Sequence, residues 1–189
     1  MRHHGGVESL RGKLLVASPT LHDPNFARTV VLVGEHNEDG ALGVVLSRPS
    51  DTTVSEAVPD LVDLVEHQAA VHVGGPVQPS AVLVLAEFDH PDASQTLVLG
   101  DVGFLALDDD EGERVATRAL RRARVYAGYA GWGPGQLEAE LERDDWLVED
   151  AGADDVFAPE PAGLWALVLD RKGGHWRLIA RMPADPSQN

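Results

Sequence analysis

Two short groups of polar residues flank one apolar strand, and they hold most of the side chains in this sequence that could carry out chemistry. The groups are Asp23, Asn25 and Arg28 before the strand, and Glu35, His36 and Asn37 after it. Histidine is the usual proton carrier in enzymes that work near neutral pH, so His36, oriented by Asp23 or Glu35, would suit the general base of a hydrolase. Because five residues of strand span about 16 Å, we expect the two groups at opposite ends of the strand. That separation favours a role for His36 and Asn37 in fixing the loop through backbone bonds.

Nucleophiles, metal ligands and cofactor motifs are sparse. A Ser/His/Asp triad could be assembled from Ser18 or Ser47 with His36 and Asp23, but neither serine lies in the Gly-x-Ser-x-Gly turn that exposes a nucleophile. The sequence has no cysteine, and its 8 histidines show no His-x-x-x-His spacing. We therefore assign no catalytic residue, no metal site and no cofactor.

A glycine-rich segment, residues 128–135, precedes a predicted helix that begins near Gln136. Glycines ahead of a helix can present backbone N–H groups to an anion. The spacing here matches neither Gly-x-Gly-x-x-Gly nor a Walker loop, and two glutamates in the first turns of the helix would repel phosphate. We interpret the segment as a structural turn in which Trp132 covers the core and Gln136 bonds an exposed backbone group. The alternative is a pocket for a small polar ligand or peptide, lined by Trp132, Gln136 and Arg28.

Four arginines form the concentrated basic feature of the sequence. They are Arg114, Arg118, Arg121 and Arg122, on one side of a helix predicted over residues 113–122. Such a ridge could dock nucleic acid, or it could be a solvated face paired with the acidic residues just upstream. The chain carries 15 Lys and Arg against 31 Asp and Glu, a formal net charge of −16. That balance favours the solvated face and disfavours nucleic-acid and membrane partners.

The apolar pattern and the turn signals predict the elements that must position these residues. Strands are predicted at 13–17, 29–33, 41–46, 71–73, 81–88, 96–99, 104–107, 125–130 and 146–148, and helices near 59–67, 113–122, 136–143 and 164–169. Asp23, Pro24 and Asn25 predict a type I turn, and residues 34–40 predict a hairpin loop longer than two residues. The irregular spacing of helices among strands predicts an α+β fold with a mixed or largely antiparallel sheet.

Length and composition predict one domain. With 189 residues, 43% of them hydrophobic, the chain can bury about two-thirds of its unfolded surface. We expect the domain over residues 12–182, between a flexible N-terminus, residues 1–11, and a polar tail, residues 183–189. The sequence shows no secretion signal and no run of about 18 apolar residues, so we expect a cytoplasmic protein.

Three sequence blocks resemble the YqgE/AlgH family. They are residues 12–49, which include Asp23-Pro24-Asn25-Phe26 and Arg48-Pro49, residues 74–77, which read Gly-Gly-Pro-Val, and residues 128–138, which read Gly-Tyr-Ala-Gly-Trp-Gly-Pro-Gly-Gln-Leu-Glu. The resemblance covers most of the chain, from Gly12 to about Trp146. One departure is Ser47, where the family usually places an asparagine before Arg-Pro.

The resemblance implies an α+β fold with a bifurcated, bulged mixed or antiparallel β-sheet and a small closed barrel, surrounded by helices. Members of the family are small bacterial cytoplasmic proteins, many of them labelled transcriptional regulators, and no established reaction or cofactor comes with the family.

A family-specific motif set without a complete catalytic constellation favours a non-catalytic regulatory module that binds a small ligand or a protein partner. The candidate ligand-binding residues are Asn25, Arg28, His36, Asn37, Arg48, Trp132 and Gln136. A hydrolase that uses His36 with Asp23 or Glu35 and a direct DNA-binding regulator are the two alternatives.

Overall fold

Residues 7–90, 96–107 and 120–184 are described by a computed structural model, and a large β-sheet is its framework. The strands are β1 (Lys13–Ala17), β2 (Val30–Asn37), β3 (Gly40–Val45), β4 (Pro49–Thr53), β5 (Ala70–Val73), β6 (Val77–Phe88), β7 (Thr96–Leu99), β8 (Val102–Phe104), β9 (Leu120–Trp132) and β10 (Trp146–Asp150). The predicted strands at 13–17 and 96–99 are confirmed to the residue. The strand predicted at 104–107 is wrong in position, because β8 ends where it was expected to begin.

The helices are short. They are α1 (Val54–Ala57), α2 (Gln136–Glu142), α3 (Ala153–Val156), α4 (Leu164–Lys172) and α5 (Trp176–Ala180), with 3₁₀ turns at Pro59–Leu64 and Pro161–Gly163. Gly173 ends α4 with a φ of 83°, as its glycine pair predicts. Within the described ranges, none of the helices has the length and apolar character needed to cross a bilayer.

The helix predicted over residues 113–122 is wrong at its C-terminal end. Leu120 already begins β9, so Arg121 and Arg122 lie on a strand. Arg114 and Arg118 lie outside the described residues.

The sheet branches at β9. Along one edge β9 pairs with β6, and along the other edge its middle pairs with β5 and its last residues pair with β3. Beyond β3 the sheet continues through β2 and β1 to β10. Beyond β6 it continues through β8 to β7, and β4 pairs with the other edge of β5. The β5–β9 pair is parallel and the other ladders are antiparallel. The predicted α+β class with a mixed sheet is confirmed.

The sheet curls without closing. Its strand order runs from β10 at one end to β7 at the other, and no ladder between described residues joins those ends. The two residues before β1 contact β7 without forming a ladder. The Arg11 guanidinium donates to the carbonyl of Leu97, and Gly12 packs against the carbonyl of Val98. Among the described residues the sheet does not form the predicted small closed barrel, and the described helices are too few to surround it.

Two apolar cores lie on opposite faces of the sheet. Because side chains alternate along a strand, Tyr126 of β9 and Leu85 of β6 enter the larger core, which α4 covers with Trp165. Their chain neighbours Val125 and Val84 enter the smaller core. The smaller core is completed by α1 and the 3₁₀ turn after it.

The β2–β3 hairpin differs from its prediction. Asn37 pairs with Gly40, so the connection is two residues long and not the longer loop expected over 34–40. A register shift between Val33 and Glu35 marks a bulge at Gly34, where an added Cβ would collide with the ring of Phe104. The bulge lets the polar residues after it stay on the strand, where the break in apolar pattern suggested a loop.

Candidate functional site

The turn before β2 is confirmed, and one of its two predicted ligand-binding residues, Arg28, contacts other parts of the protein. The Asp23 carboxylate accepts the Asn25 backbone N–H at 2.9 Å, and the Asp23 carbonyl accepts the Phe26 N–H at 2.9 Å. Asn25 itself is exposed. Arg28, with a φ of 55°, lies 4.6 Å from the ring centre of Trp165 and donates to the carbonyl of Met182 at 2.9 Å.

Arg48 and the serine before it hold the start of β2. Arg48 is half-buried and donates to the carbonyl of Ala27 at 3.1 Å, and burial lowers the pKa of its guanidinium. The Ser47 hydroxyl accepts the Val30 N–H at 3.2 Å. Ser47 therefore makes a backbone bond at the position where the family usually has an asparagine.

His36 is buried with both ring nitrogens engaged. Its Nδ1 accepts the Leu10 N–H at 3.0 Å, which places the ring proton on Nε2, and Nε2 lies 2.6 Å from a Glu138 carboxylate oxygen. That hydrogen bond holds the pKa of Glu138 below its usual value. The carboxylate partner of His36 is thus Glu138 on α2, and neither Asp23 nor Glu35 as the hydrolase hypothesis required.

A tryptophan cluster lies beside the glycine-rich turn, where β9 ends at Trp132 and β10 begins at Trp146. Both indole N–H groups of Trp132 and Trp146 donate to one Glu140 oxygen, at 2.7 and 2.9 Å, and the ring of Phe26 packs on both indoles. Gln136 accepts the Gly133 N–H at 3.0 Å, as predicted. These contacts give the turn a structural role.

Asn37 lies at the tip of the β2–β3 hairpin. Its side-chain oxygen accepts the Asp39 N–H at 2.8 Å. With Trp132 it lines a shallow groove of about 270 Å³ whose polar walls include Glu35 and Asp39. Of the seven predicted residues, Asn37 and Trp132 line this groove. No cluster of three or more metal-ligating side chains occurs among the described residues.

A larger cleft, of about 640 Å³, lies at the branch of the sheet. Over residues 121–124 the β5 edge of β9 has no strand partner in the described ranges, because β5 pairs only with Tyr126 and Ala127. Residues 63–70 bound the cleft on the smaller-core face, and Phe157 and Pro159 bound it on the other. We call this cavity the branch cleft.

Three polar side chains, of His72, Arg124 and Tyr126, lie on the larger-core face of the sheet beside the branch cleft. The β5–β9 pairing and the alternation of side chains along β9 place them there. Arg124 and Tyr126 lie two residues apart on β9, and His72 of β5 is the register partner of Tyr126. The ring centroids of His72 and Tyr126 are 5.4 Å apart. His72 and Arg124 line the cleft, and Tyr126 lies behind them, fully buried.

His72 and Tyr126 have buried polar atoms without a hydrogen-bond partner among the described residues: both ring nitrogens of His72 and the Tyr126 hydroxyl. Burial, with a smaller effect of the Arg124 charge, lowers the pKa of His72 to about 4, although the backbone groups of Ala70 and Val125 oppose the shift. Burial also raises the pKa of the Tyr126 phenol. Near pH 7 both groups are neutral, and each costs free energy for as long as it has no partner.

The arginines of the branch cleft differ in how their charge is balanced. Arg121 and Arg122 both form ion pairs with Glu87, and Arg121 also pairs with Asp89 at 2.6 Å. Arg124 is half-buried and donates to the carbonyls of Val156 and Ala158. Within the described ranges it has no carboxylate at ion-pair distance, and burial lowers the pKa of its guanidinium.

Comparison with known proteins decides the family. The model of a family described as AlgH-like matches residues 14–177. The chain belongs to the AlgH-like family. This confirms the resemblance carried by the three sequence blocks. Among curated AlgH-like relatives, a UPF0301 protein from Thermobifida fusca is 42% identical over 198 residues and covers 100% of both chains. A UPF0301 protein from Streptomyces coelicolor is 42% identical and covers 97% of each.

Two solved structures of the family have the same fold. A crystal structure of protein DIP2367 from Corynebacterium diphtheriae superposes with a TM-score of 0.82 at 30% identity, over 91% of this chain and 92% of that one. The solution structure of the AlgH protein from Pseudomonas aeruginosa gives a TM-score of 0.70 at 30% identity, over 97% and 98%.

Sequence reasoning missed the branch cleft of this AlgH-like chain. His72 stands alone between two valines, which is typical of a core histidine, and Arg124 lies between the helix predicted over residues 113–122 and the strand predicted at 125–130. The signal that could have found Arg124 is the spacing of Arg122, Arg124 and Tyr126 at every second residue, which fits a strand with these three side chains on one face.

Proposed function

We propose that this AlgH-like protein is a non-catalytic regulatory module of the cytoplasm and that it binds a small ligand in the branch cleft. The observation that carries the proposal is that one cavity holds two side chains that lack a partner among the described residues. Arg124 is half-buried and has no carboxylate at ion-pair distance, and His72 is buried with no hydrogen-bond partner for its ring nitrogens. A cleft of about 640 Å³ is within the size range of small-molecule sites.

The lining of the branch cleft favours binding over catalysis. Its described residues supply no hydroxyl, thiol or amine that could act as a nucleophile. His36, the candidate general base, does not line it and has both nitrogens occupied. The cleft instead combines arginines with apolar walls from Val65, Val125 and Phe157, an arrangement suited to recognition.

A thermal-shift screen with paired variants tests this function. Metabolites, nucleotides and metal salts are screened for stabilisation, since a ligand at about a hundred times its Kd adds about 2.7 kcal/mol to the free energy of unfolding. Pro159→Trp adds bulk at the rim of the branch cleft, and Pro134→Trp makes the same change at an exposed proline of the glycine-rich turn.

We expect stabilising ligands to lose their effect on the Pro159→Trp protein and to keep it on the Pro134→Trp protein. A ligand whose effect is lost only in the Pro134→Trp protein would move the site to the glycine-rich turn. A panel in which no compound stabilises the unaltered protein would argue for a protein partner.

A further inference from the structure

Arg124 indicates which chemical class of ligand the branch cleft accepts. We propose that the ligand carries a small oxyanion, a carboxylate or a phosphate monoester, on an apolar group, and that the Arg124 guanidinium binds the oxyanion. This inference rests on the proposed function, because it requires that the branch cleft hold a ligand.

The guanidinium of Arg124 is oriented and only partly used. It carries five N–H donors in one plane, and two of its nitrogens donate to the carbonyls of Val156, at 3.1 Å, and Ala158. Those carbonyls hold the plane of the group and leave further donors for a second acceptor. A carboxylate or phosphate fits such a planar fork through parallel hydrogen bonds.

Within the part of the chain that the structure describes, the charges around Arg124 leave it as the cation that a ligand can neutralise. Glu87 accepts from both neighbouring arginines, and Arg122 also pairs with Asp154 at 3.1 Å. The carboxylates that line the cleft, Asp63 and Glu66, are both exposed, so water screens them. Glu66 acts on Arg124 only at long range, because the two form no ion pair.

The remaining walls specify the rest of the ligand. Leu64, Val65, Val125 and Phe157 are apolar, and they lie beside the arginine in the same cleft. His72 is neutral near pH 7 and therefore adds no second positive charge. One positive charge beside an apolar wall suits one anionic group on an apolar body, which is the chemistry shared by arylacetates and aryl phosphates.

Three matched probes test the inference on the full chain at pH 7: phenylacetate, phenyl phosphate and the neutral amide phenylacetamide. Binding is measured by calorimetry and by NMR titration. We expect at least one anion to bind ten-fold or more tightly than the amide. Whichever anion binds more tightly shows whether a carboxylate or a phosphate is the preferred group.

Substitution of Arg124 tests whether its guanidinium causes the preference for the anionic probes over the amide. Arg124→Gln should reduce anion affinity to the level of the amide, Arg124→Lys should retain part of it, and amide binding should not change. Arg177→Gln is the control, because Arg177 also donates to a backbone carbonyl, that of Asp170 at 3.3 Å, and lies outside the cleft. If Arg124→Gln does not fold, two other measurements test the role of Arg124. They are the ratio of anion to amide affinity in the unaltered protein and the anion affinity of the Arg124→Lys protein.

The outcomes separate the two proposals. Equal binding of acid and amide, or anion binding unaffected in the Arg124→Gln protein, would overturn the oxyanion inference and leave the branch cleft as a ligand site. Failure of all three probes would also overturn it, and the broader panel with Pro159→Trp would then judge the proposed function alone.

Discussion

His72 makes the stability of the protein depend on pH. A histidine whose pKa lies near 4 in the folded state has an ordinary pKa of about 6.5 in the unfolded state. Above pH 6.5 the ring is neutral in both states and contributes nothing to the pH dependence. Between pH 6.5 and 4 only the unfolded state takes up the proton, so the free energy of unfolding falls as the pH is lowered.

We expect this single group to lower the free energy of unfolding by about 3 kcal/mol between pH 7 and pH 4. His72→Gln lacks the titrating ring and should show a shallower decline in the free energy of unfolding over that window. Urea unfolding at several pH values measures both curves. Parallel curves for the two proteins would show that His72 titrates normally in the folded state.

Glu140 organises the tryptophan cluster as one shared acceptor. Glu140→Ala leaves two nearly buried indole N–H groups, of Trp132 and Trp146, without their partner. We expect a loss of about 2 kcal/mol or more in the free energy of unfolding. Tryptophan fluorescence during urea unfolding measures it, with Glu142→Ala, an exposed glutamate of the same helix, as the control. Equal stability of the two variants would contradict a structural role for the cluster.

At the level of elements, the branch of the sheet depends on close backbone approach at Gly74. Its N–H donates to the Ala127 carbonyl at 2.9 Å, and its carbonyl accepts the Val45 N–H at 2.8 Å, so this one residue links β9 to β3. An added Cβ would collide with the carbonyl oxygen of Gly128. Only glycine lets the three chain segments meet at this distance.

Gly74→Ala should therefore lower the free energy of unfolding by about 1–3 kcal/mol, a cost typical of overpacking. Gly163→Ala is the control, because nothing lies within 4 Å of its added Cβ and its φ is −93°. The control should be neutral or more stable by about 0.4–1 kcal/mol, since alanine has less conformational freedom in the unfolded chain. Urea unfolding of both proteins gives the comparison, and a Gly74→Ala protein as stable as the control would contradict the account of the branch.

Elements with continuous apolar runs could be predicted from the sequence, and elements with polar strands could not. β1 is a short apolar run ended by Ser18-Pro19, and its bounds are those predicted. The end of β2 was missed because the bulge at Gly34 interrupts the apolar pattern before Glu35. The start of β9 was missed because its arginines also fit a helical spacing, and strand pairing with β6 decides between the two.

Over the whole molecule, the net charge of −16 opposes nucleic-acid binding. Arg121 and Arg122, half of the predicted basic stripe, are neutralised by ion pairs. We expect no binding of a short DNA duplex at physiological salt in a fluorescence-polarisation titration. Binding that persists at that salt and is weakened by Arg121→Gln would contradict this expectation and revive the DNA-binding alternative.

The branch cleft is a property of the whole fold, which is why the sequence did not reveal it. His72, Arg124 and Phe157 come from three separate stretches of chain, and they meet only because β5 adds to β9 in parallel and the segment after α3 folds over the same face. The seven residues predicted from the sequence were, by contrast, chosen because they lie close together along the chain or belong to the sequence blocks that resemble the family. The structure gives most of them backbone or side-chain partners of their own.

An NMR chemical-shift map of fragment binding to the unaltered, isotope-labelled protein tests most directly whether the branch cleft is the ligand site. Our account predicts that the backbone amides most perturbed by bound fragments lie in residues 63–70, 121–126 and 157–158, the described segments around His72 and Arg124. Perturbations centred on His36 or on residues 132–136, or the absence of any site-specific perturbation across the fragment set, would contradict it.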